Sequence, residues 1–285
     1  MWKLDKPTHD VVTIFKNCVN GKRDENLKNN FLTCTDYVKN STIELESKFL
    51  NNNIHNVNPL HSVYEHVPKD EWKKLYEGRF VQKGSPGREY YDKLLAIPNH
   101  GICPLCAQRV VSTLDHYLPK SIFPTLVVSP LNLVAACKDC NTTKGDILIT
   151  EMKNATIHPY FDNVDTDIWL HADLIQDSEL SFKFYVVHPD SWDELLYLRV
   201  KHHFKVYKLN SLYTSHASSE FVSLKRRLLI LYQKKGITAV KQHLNDAIED
   251  CEYVSLNSWR VAMFRALYEN EWFYDVWLKE QSSTF

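Results

Sequence analysis

Two Cys-x-x-Cys hooks, Cys103-Pro-Leu-Cys106 and Cys137-Lys-Asp-Cys140, limit what this chain can fold into more than any other feature. The remaining three of its seven cysteines, Cys18, Cys34 and Cys251, stand alone and read as core residues. Met1 to Pro7 has no apolar run behind its charges, so no secretory signal is expected. No stretch nears about 18 uninterrupted apolar residues, so no membrane span is expected and a cytoplasmic, reducing setting follows by default. There, paired hooks read as a metal site before they read as disulfides. Together they supply four thiolates to one tetrahedral Zn2+, which is structural because protein ligands fill every position. The bland alternative is four small core cysteines; a redox role lacks the strand-to-helix context it needs. Thirty residues lie between Cys106 and Cys137, more than the roughly 15–20 of a simple zinc ribbon. The hooks therefore enclose something else.

Around the hooks the chain reads as mostly helical α+β. Val11, Val12, Phe15, Cys18 and Val19 recur at helical spacing, and Leu27, Phe31, Cys34, Tyr37 and Val38 form the stripe of a longer polar helix. Pro68 is placed in the first turn of another helix, and Ser85-Pro86 begins a further one that runs through Leu95. This gives a helical N-terminal region over residues 1–98, a core over 99–162 and a mainly helical region over 163–285. Within the core, Arg109 to His116 reads as a strand, Leu131 to Ala136 as a second short strand or strand-like turn, and Cys140 to Asp146 as the start of a short helix. Later, Phe182 to Val187 reads as a strand, and a terminal helix carries Trp259, Met263, Leu267, Phe273 and Trp277.

The enclosed segment holds Leu114-Asp115-His116-Tyr117-Leu118-Pro119-Lys120, then Asn132-Leu133-Val134, then Cys140-Asn141-Thr142-Thr143-Lys144. In this order, over about 15% of the chain, it resembles the HNH endonucleases of the ββα-metal superfamily, in the subtype clamped by a four-cysteine zinc. The resemblance implies phosphodiester hydrolysis. His116 would be the general base, a task that suits imidazole near pH 7. Asp115 and Asn141 would bind one catalytic Mg2+ or Mn2+ through hard oxygens, and Asn132 would stabilise the loop that fixes the base. The third motif letter is Asn141 rather than histidine, a variant found in many members. Lys120 and Lys144 flank the site and read equally as substrate contacts or as solvated lysines. Arg109 and His100 are weaker candidates for substrate contact.

The wider layout, including His158-Pro159-Tyr160-Phe161 and Asn257-Ser258-Trp259, resembles the HNH subunits of Septu and retron-associated anti-phage systems. That resemblance implies an ATPase partner, joined in some systems by a reverse transcriptase and its RNA/DNA product. His158 itself reads as a satisfied structural histidine, and His202-His203 as surface or groove residues, since neighbours in a helix or strand point apart.

A formal charge of −1 argues at first against nucleic acid. The total hides a cancellation. Residues 196–245 carry ten Lys or Arg against Glu220 as the one acid, while 151–195 and 246–285 are acidic. Within the basic stretch Arg226, Arg227, Lys234 and Lys235 are candidate nucleic-acid contacts, and Phe204, Tyr207, Tyr213 and Tyr232 offer stacking surfaces. The opposing reading is a solvated helix face paired with the acidic flanks. The expectation is an effector nuclease of a defence system, with DNA favoured as target. An RNA-cleaving effector, for instance on tRNA, is one alternative. A non-catalytic zinc-knuckle adaptor for nucleic acid or an ATPase is the other.

Overall fold

The computed structural model describes residues 1–176 and 179–284. The chain divides into two units, Met1–Asn163 and Val164–Phe285. Among the described residues it is mostly helical, with two small two-stranded sheets, and no helix is long and apolar enough to cross a membrane.

In the first unit, helix α1 (Val11–Asn20) is capped by Asp10, whose carboxylate accepts from the Thr13 N–H. Asp24 does the same for α2 (Glu25–Thr33) through Leu27, satisfying a donor that a helix N-terminus leaves open. The single long helix expected over Leu27 to Val38 is in fact two, because the chain breaks at Cys34 before α3 (Thr35–Leu50). The Thr33 and Thr35 hydroxyls donate to the carbonyls of Asn30 and Leu32, a local bonding pattern that competes with a continuous helix. Tyr37, expected on the buried stripe, faces outward as a result. Pro68 caps α4 (Lys69–Leu75) from outside rather than occupying its first turn. That helix runs directly into a π-helical turn, Tyr76–Val81, and α5 (Arg88–Leu95) follows.

Aromatic packing anchors these helices. Phe15 stacks on Trp72 at 6.0 Å between ring centroids, and Phe31 meets Trp72 edge-on at 5.1 Å. Leu114, Leu133 and Ala135 belong to the same core. They come from strands β1 (Thr113–His116) and β2 (Leu133–Ala136), which pair antiparallel with Asp115 opposite Val134 and His116 opposite Leu133. Because strand side chains alternate between faces, Leu114 faces the helical core while Asp115 faces the other way. Helix α6 (Lys138–Lys144) follows β2 directly and contacts β1.

The second unit opens with β3 (Leu170–Gln176) and β4 (Leu180–Val186), paired antiparallel from Leu170 opposite Val186 to Gln176 opposite Leu180. Helices α7 (Glu194–Val206), α8 (Leu209–Glu252) and α9 (Trp259–Glu269) follow, then a π-helical turn, Phe273–Trp277, and α10 (Leu278–Thr284). α8 is not straight. Gly236 interrupts it at φ 75° and ψ −172°, a conformation essentially confined to glycine. Arg260 and Arg265 of α9 bind Glu220 and Glu252, one on each side of that break. In a straight helix those two acids would lie about 48 Å apart, whereas the two arginines are separated by only about 7.5 Å of helix. The arms of α8 therefore double back on each other at Gly236. The Arg227 charge acting on His243, and that of Glu220 on Cys251, fit the same reversal.

This packing corrects part of the surface expected from the basic stretch. Tyr207 and Tyr213 are buried, so they offer no stacking face, and Arg199 and His203 are buried as well.

Candidate functional site

The two hooks meet. Cys137 is the N-cap of α6 and Cys140 lies in its first turn, so the Cys140 N–H points at the Cys137 Sγ, 3.4 Å away. Cys103 and Cys106 sit in a tight knuckle where the Cys103 N–H donates to the Arg109 carbonyl and Ala107 adopts a positive φ of 51°. Arg109 reaches across to Asp139 at 2.8 Å, tying one hook to the other. All four cysteines are buried, with their sulfurs within 4.8 Å of one another. Four sulfurs around one zinc at ~2.3 Å would lie about 3.8 Å apart, so this donor set fits zinc. Cys18 and Cys34 are buried elsewhere, and Cys251 is half-buried.

Beside this cluster, at the end of β1, Asp115, His116 and Asn141 line one open cavity of about 340 Å³. His116 faces the helical core, its ring edge-on to Tyr76 at 4.4 Å. Its Nε2 lies 2.9 Å from the Val127 carbonyl. A carbonyl only accepts, so Nε2 carries the proton and Nδ1 keeps its lone pair. Burial pushes the imidazole pKa down to about 3, opposed by the bond to Val127, and so keeps the ring neutral. Asp115, also buried, has its carboxyl pushed up to about 6 by desolvation, against the pull of Lys144.

Asn132 does not reach the cavity. Fully buried, it accepts from the Leu118 N–H at 2.8 Å and donates to the carbonyls of Leu118 and Leu126 at 3.0 and 3.3 Å. One amide thereby closes the loop between β1 and β2, the loop that presents the Val127 carbonyl to His116. Lys120 stands at the cavity rim, paired with Glu77 at 3.2 Å and lying over the Tyr76 ring. Lys144 is not a solvated lysine: it is 6% exposed and ion-paired to Asp115 at 3.2 Å.

Several cavity residues had no expected site role, among them the polar Tyr76, Glu77 and Asp146. Tyr76 and Glu77 arrive from the π-helical turn, and Asp146 follows the cap of α6. Asp146 alone carries a local signal, lying just beyond the Cys-Asn-x-x-Lys run. Arg226, Arg227, Lys234 and Lys235 are exposed on α8, in the other unit. His158 is fully buried. Its Nε2 faces the Leu131 carbonyl, its Nδ1 accepts from the Tyr160 N–H, and its ring packs against Phe49 and Tyr117. It holds structure.

No family model matches the chain, and no solved structure does. Among curated proteins it is similar along nearly its whole length to protein ea31 of Escherichia phage lambda, 28% identical over an alignment of 297 positions, gaps included, that spans 96% of this chain and 99% of that one. A weaker, partial similarity links it to Septu protein PtuB of Bacillus thuringiensis, 29% identical over 130 residues, 42% of this chain and 50% of that protein.

Proposed function

We propose that this chain is a metal-dependent endonuclease of the ββα-metal (HNH) class, hydrolysing phosphodiester bonds of nucleic acid, with DNA the favoured target. The observation that carries the reading is the convergence of Asp115, His116 and Asn141 on one open cavity beside a four-cysteine cluster. His116, its Nε2 committed to Val127, accepts at Nδ1 the proton of a water that attacks phosphorus. As that bond forms, the bond from phosphorus to the leaving oxygen breaks. Asp115 and Asn141 offer oxygen donors at an opening with room for water, a set that suits Mg2+ or Mn2+. A divalent ion held there supplies charge stabilisation to the phosphoryl group and the leaving oxygen. Asn132 keeps the base in place by closing its loop. Lys120 at the rim, and Arg226, Arg227, Lys234 and Lys235 on α8, offer cations for backbone phosphates. The four cysteines hold a structural Zn2+.

Similarity to Septu protein PtuB supports a setting in anti-phage defence; the partners proposed for it, from the motif resemblance, are an ATPase and, in a retron-type assembly, a reverse transcriptase with its product. Protein ea31, similar along nearly the whole chain, is a phage protein; the defence setting rests on the PtuB similarity and on the motif layout.

Two other readings compete. Nothing in the cavity is specific to deoxyribose, so RNA is the alternative substrate. The hold of Lys144 on Asp115 favours a non-catalytic adaptor. Purified protein with Mg2+ or Mn2+, alone and with its partner, is to be offered duplex DNA, single-stranded DNA and tRNA. We expect cleavage of DNA that falls at least about 100-fold in His116→Ala. Cleavage of tRNA alone would move the assignment to RNA, and a wild type that never cuts would favour the adaptor.

A further inference from the structure

Lys144 is the one lysine buried among the described residues, and the mechanism above gives it nothing to do. Its place follows from local structure. α6 ends at Lys144 because Gly145, at φ 58°, turns the chain out of the helix. Side chains on a helix lean toward its N-terminus, which carries the Lys144 stem back toward Asn141, one turn earlier, and onto β1. There Nζ lies 2.6 Å from the His116 carbonyl and 3.2 and 3.4 Å from the two carboxylate oxygens of Asp115. The Tyr117 ring lies alongside, its centroid 6.0 Å from Nζ. Both oxygens of the one carboxylate proposed to bind a divalent ion thus face a cation built into the chain.

We propose that Lys144 is a tethered competitor for the metal: it serves as the counter-ion of Asp115 in the metal-free protein and weakens divalent-ion binding there. The inference rests on the assignment of Asp115 as a metal ligand. The physical reason is short-range electrostatics. A buried carboxylate needs a positive partner, and a cation already within hydrogen-bonding range opposes the arrival of a second one of twice the charge. Lys144 is in this sense a positioning residue. It keeps Asp115 and the end of β1 in place without metal, and it makes loading of the site a competition.

The test is Mn2+ affinity, measured by the loss of free-ion electron paramagnetic resonance signal on the full, zinc-loaded chain. Wild type is compared with Lys144→Met and with Lys144→Gln, which removes the charge but keeps an N–H donor for the His116 carbonyl. Lys144→Arg keeps the charge, and Asp115→Asn reports how much binding belongs to this site. We expect Mn2+ to bind about tenfold more tightly, or better, to whichever neutral variant folds, with Lys144→Arg close to wild type and Asp115→Asn abolishing the binding. A merely structural lysine would give the opposite sign, since losing it would loosen the site. Unchanged or weaker Mn2+ binding in a folded neutral variant, with Asp115-dependent binding intact in wild type, overturns the proposal and leaves the nuclease reading standing. No Asp115-dependent binding in any of the proteins overturns both the proposal and the metal assignment.

Discussion

Asn132 makes the clearest case at the scale of single residues. Its amide substitutes for backbone pairing at two places at once, so removing it leaves the Leu118 N–H and two carbonyls without their partner inside a closed loop. Asn132→Ala is expected to destabilise the protein by about 2–3 kcal/mol, measured by urea unfolding, and to slow cleavage more than folding loss explains, because the Val127 carbonyl that orients His116 sits on that loop. Equal cleavage per folded molecule would contradict the link between the loop and the base. The residues proposed for the site were legible in the sequence because they lie within short runs whose order is itself the signal: Asp115-His116 at a strand end, Asn132 before the second strand, Asn141 one residue past a hook. Tyr76 and Glu77 were not legible. They reach the cavity from some forty residues upstream, through helix packing that no local spacing records. The Cys-Asn-x-x-Lys run places Lys144 near the site but does not show its state, since burial and pairing with Asp115 depend on how α6 lies on β1.

Among the elements, the hooks and the reversal in α8 differ most in how visible they were beforehand. The second hook is nearly a local object, an N-cap and the first turn behind it, so its spacing announces its geometry. Zinc is expected to co-purify at about one ion per chain and to be lost, with folding, in Cys137→Ser, whereas mild chelation should strip Mg2+ or Mn2+ and leave the fold intact. Metal analysis alongside circular dichroism checks this; unfolding under mild chelation while zinc is retained would contradict the division of labour between two metals. The reversal at Gly236 was invisible because apolar periodicity is helical on both sides of it and no proline marks it. A methyl group there would meet nothing within 4 Å, so the burden of Gly236→Ala is conformational alone. It is expected to destabilise the second unit by about 1–3 kcal/mol, read from thermal unfolding. A neutral effect would mean that the helix reversal tolerates an ordinary residue. Strand β3 also escaped the sequence reading. In Leu-His-Ala-Asp-Leu-Ile-Gln only Leu170 is buried, too little alternation to signal a strand.

Taken whole, the molecule joins a helical unit that carries the cavity and the cysteine cluster to a second unit that carries the exposed cations of α8. The formal charge of −1 says almost nothing about partners, because the basic stretch is offset by acids elsewhere in the chain. Burial trims that stretch further: Arg199 is inside, and Tyr207 and Tyr213 belong to the second unit's core. The cations of the stretch that stay exposed are Lys201, Lys205 and Lys208 together with those of α8, among them Arg226, Arg227, Lys234 and Lys235, which are proposed to meet phosphates. The proposed nuclease activity, however, depends on the cavity. It is tested most directly by the rate of plasmid DNA cleavage in Mg2+ or Mn2+, with partner if required, by wild type and His116→Ala matched for zinc content and melting temperature. The account predicts metal-dependent cleavage by wild type and a loss of about 100-fold or more in the variant. Equal rates in the two proteins would contradict it.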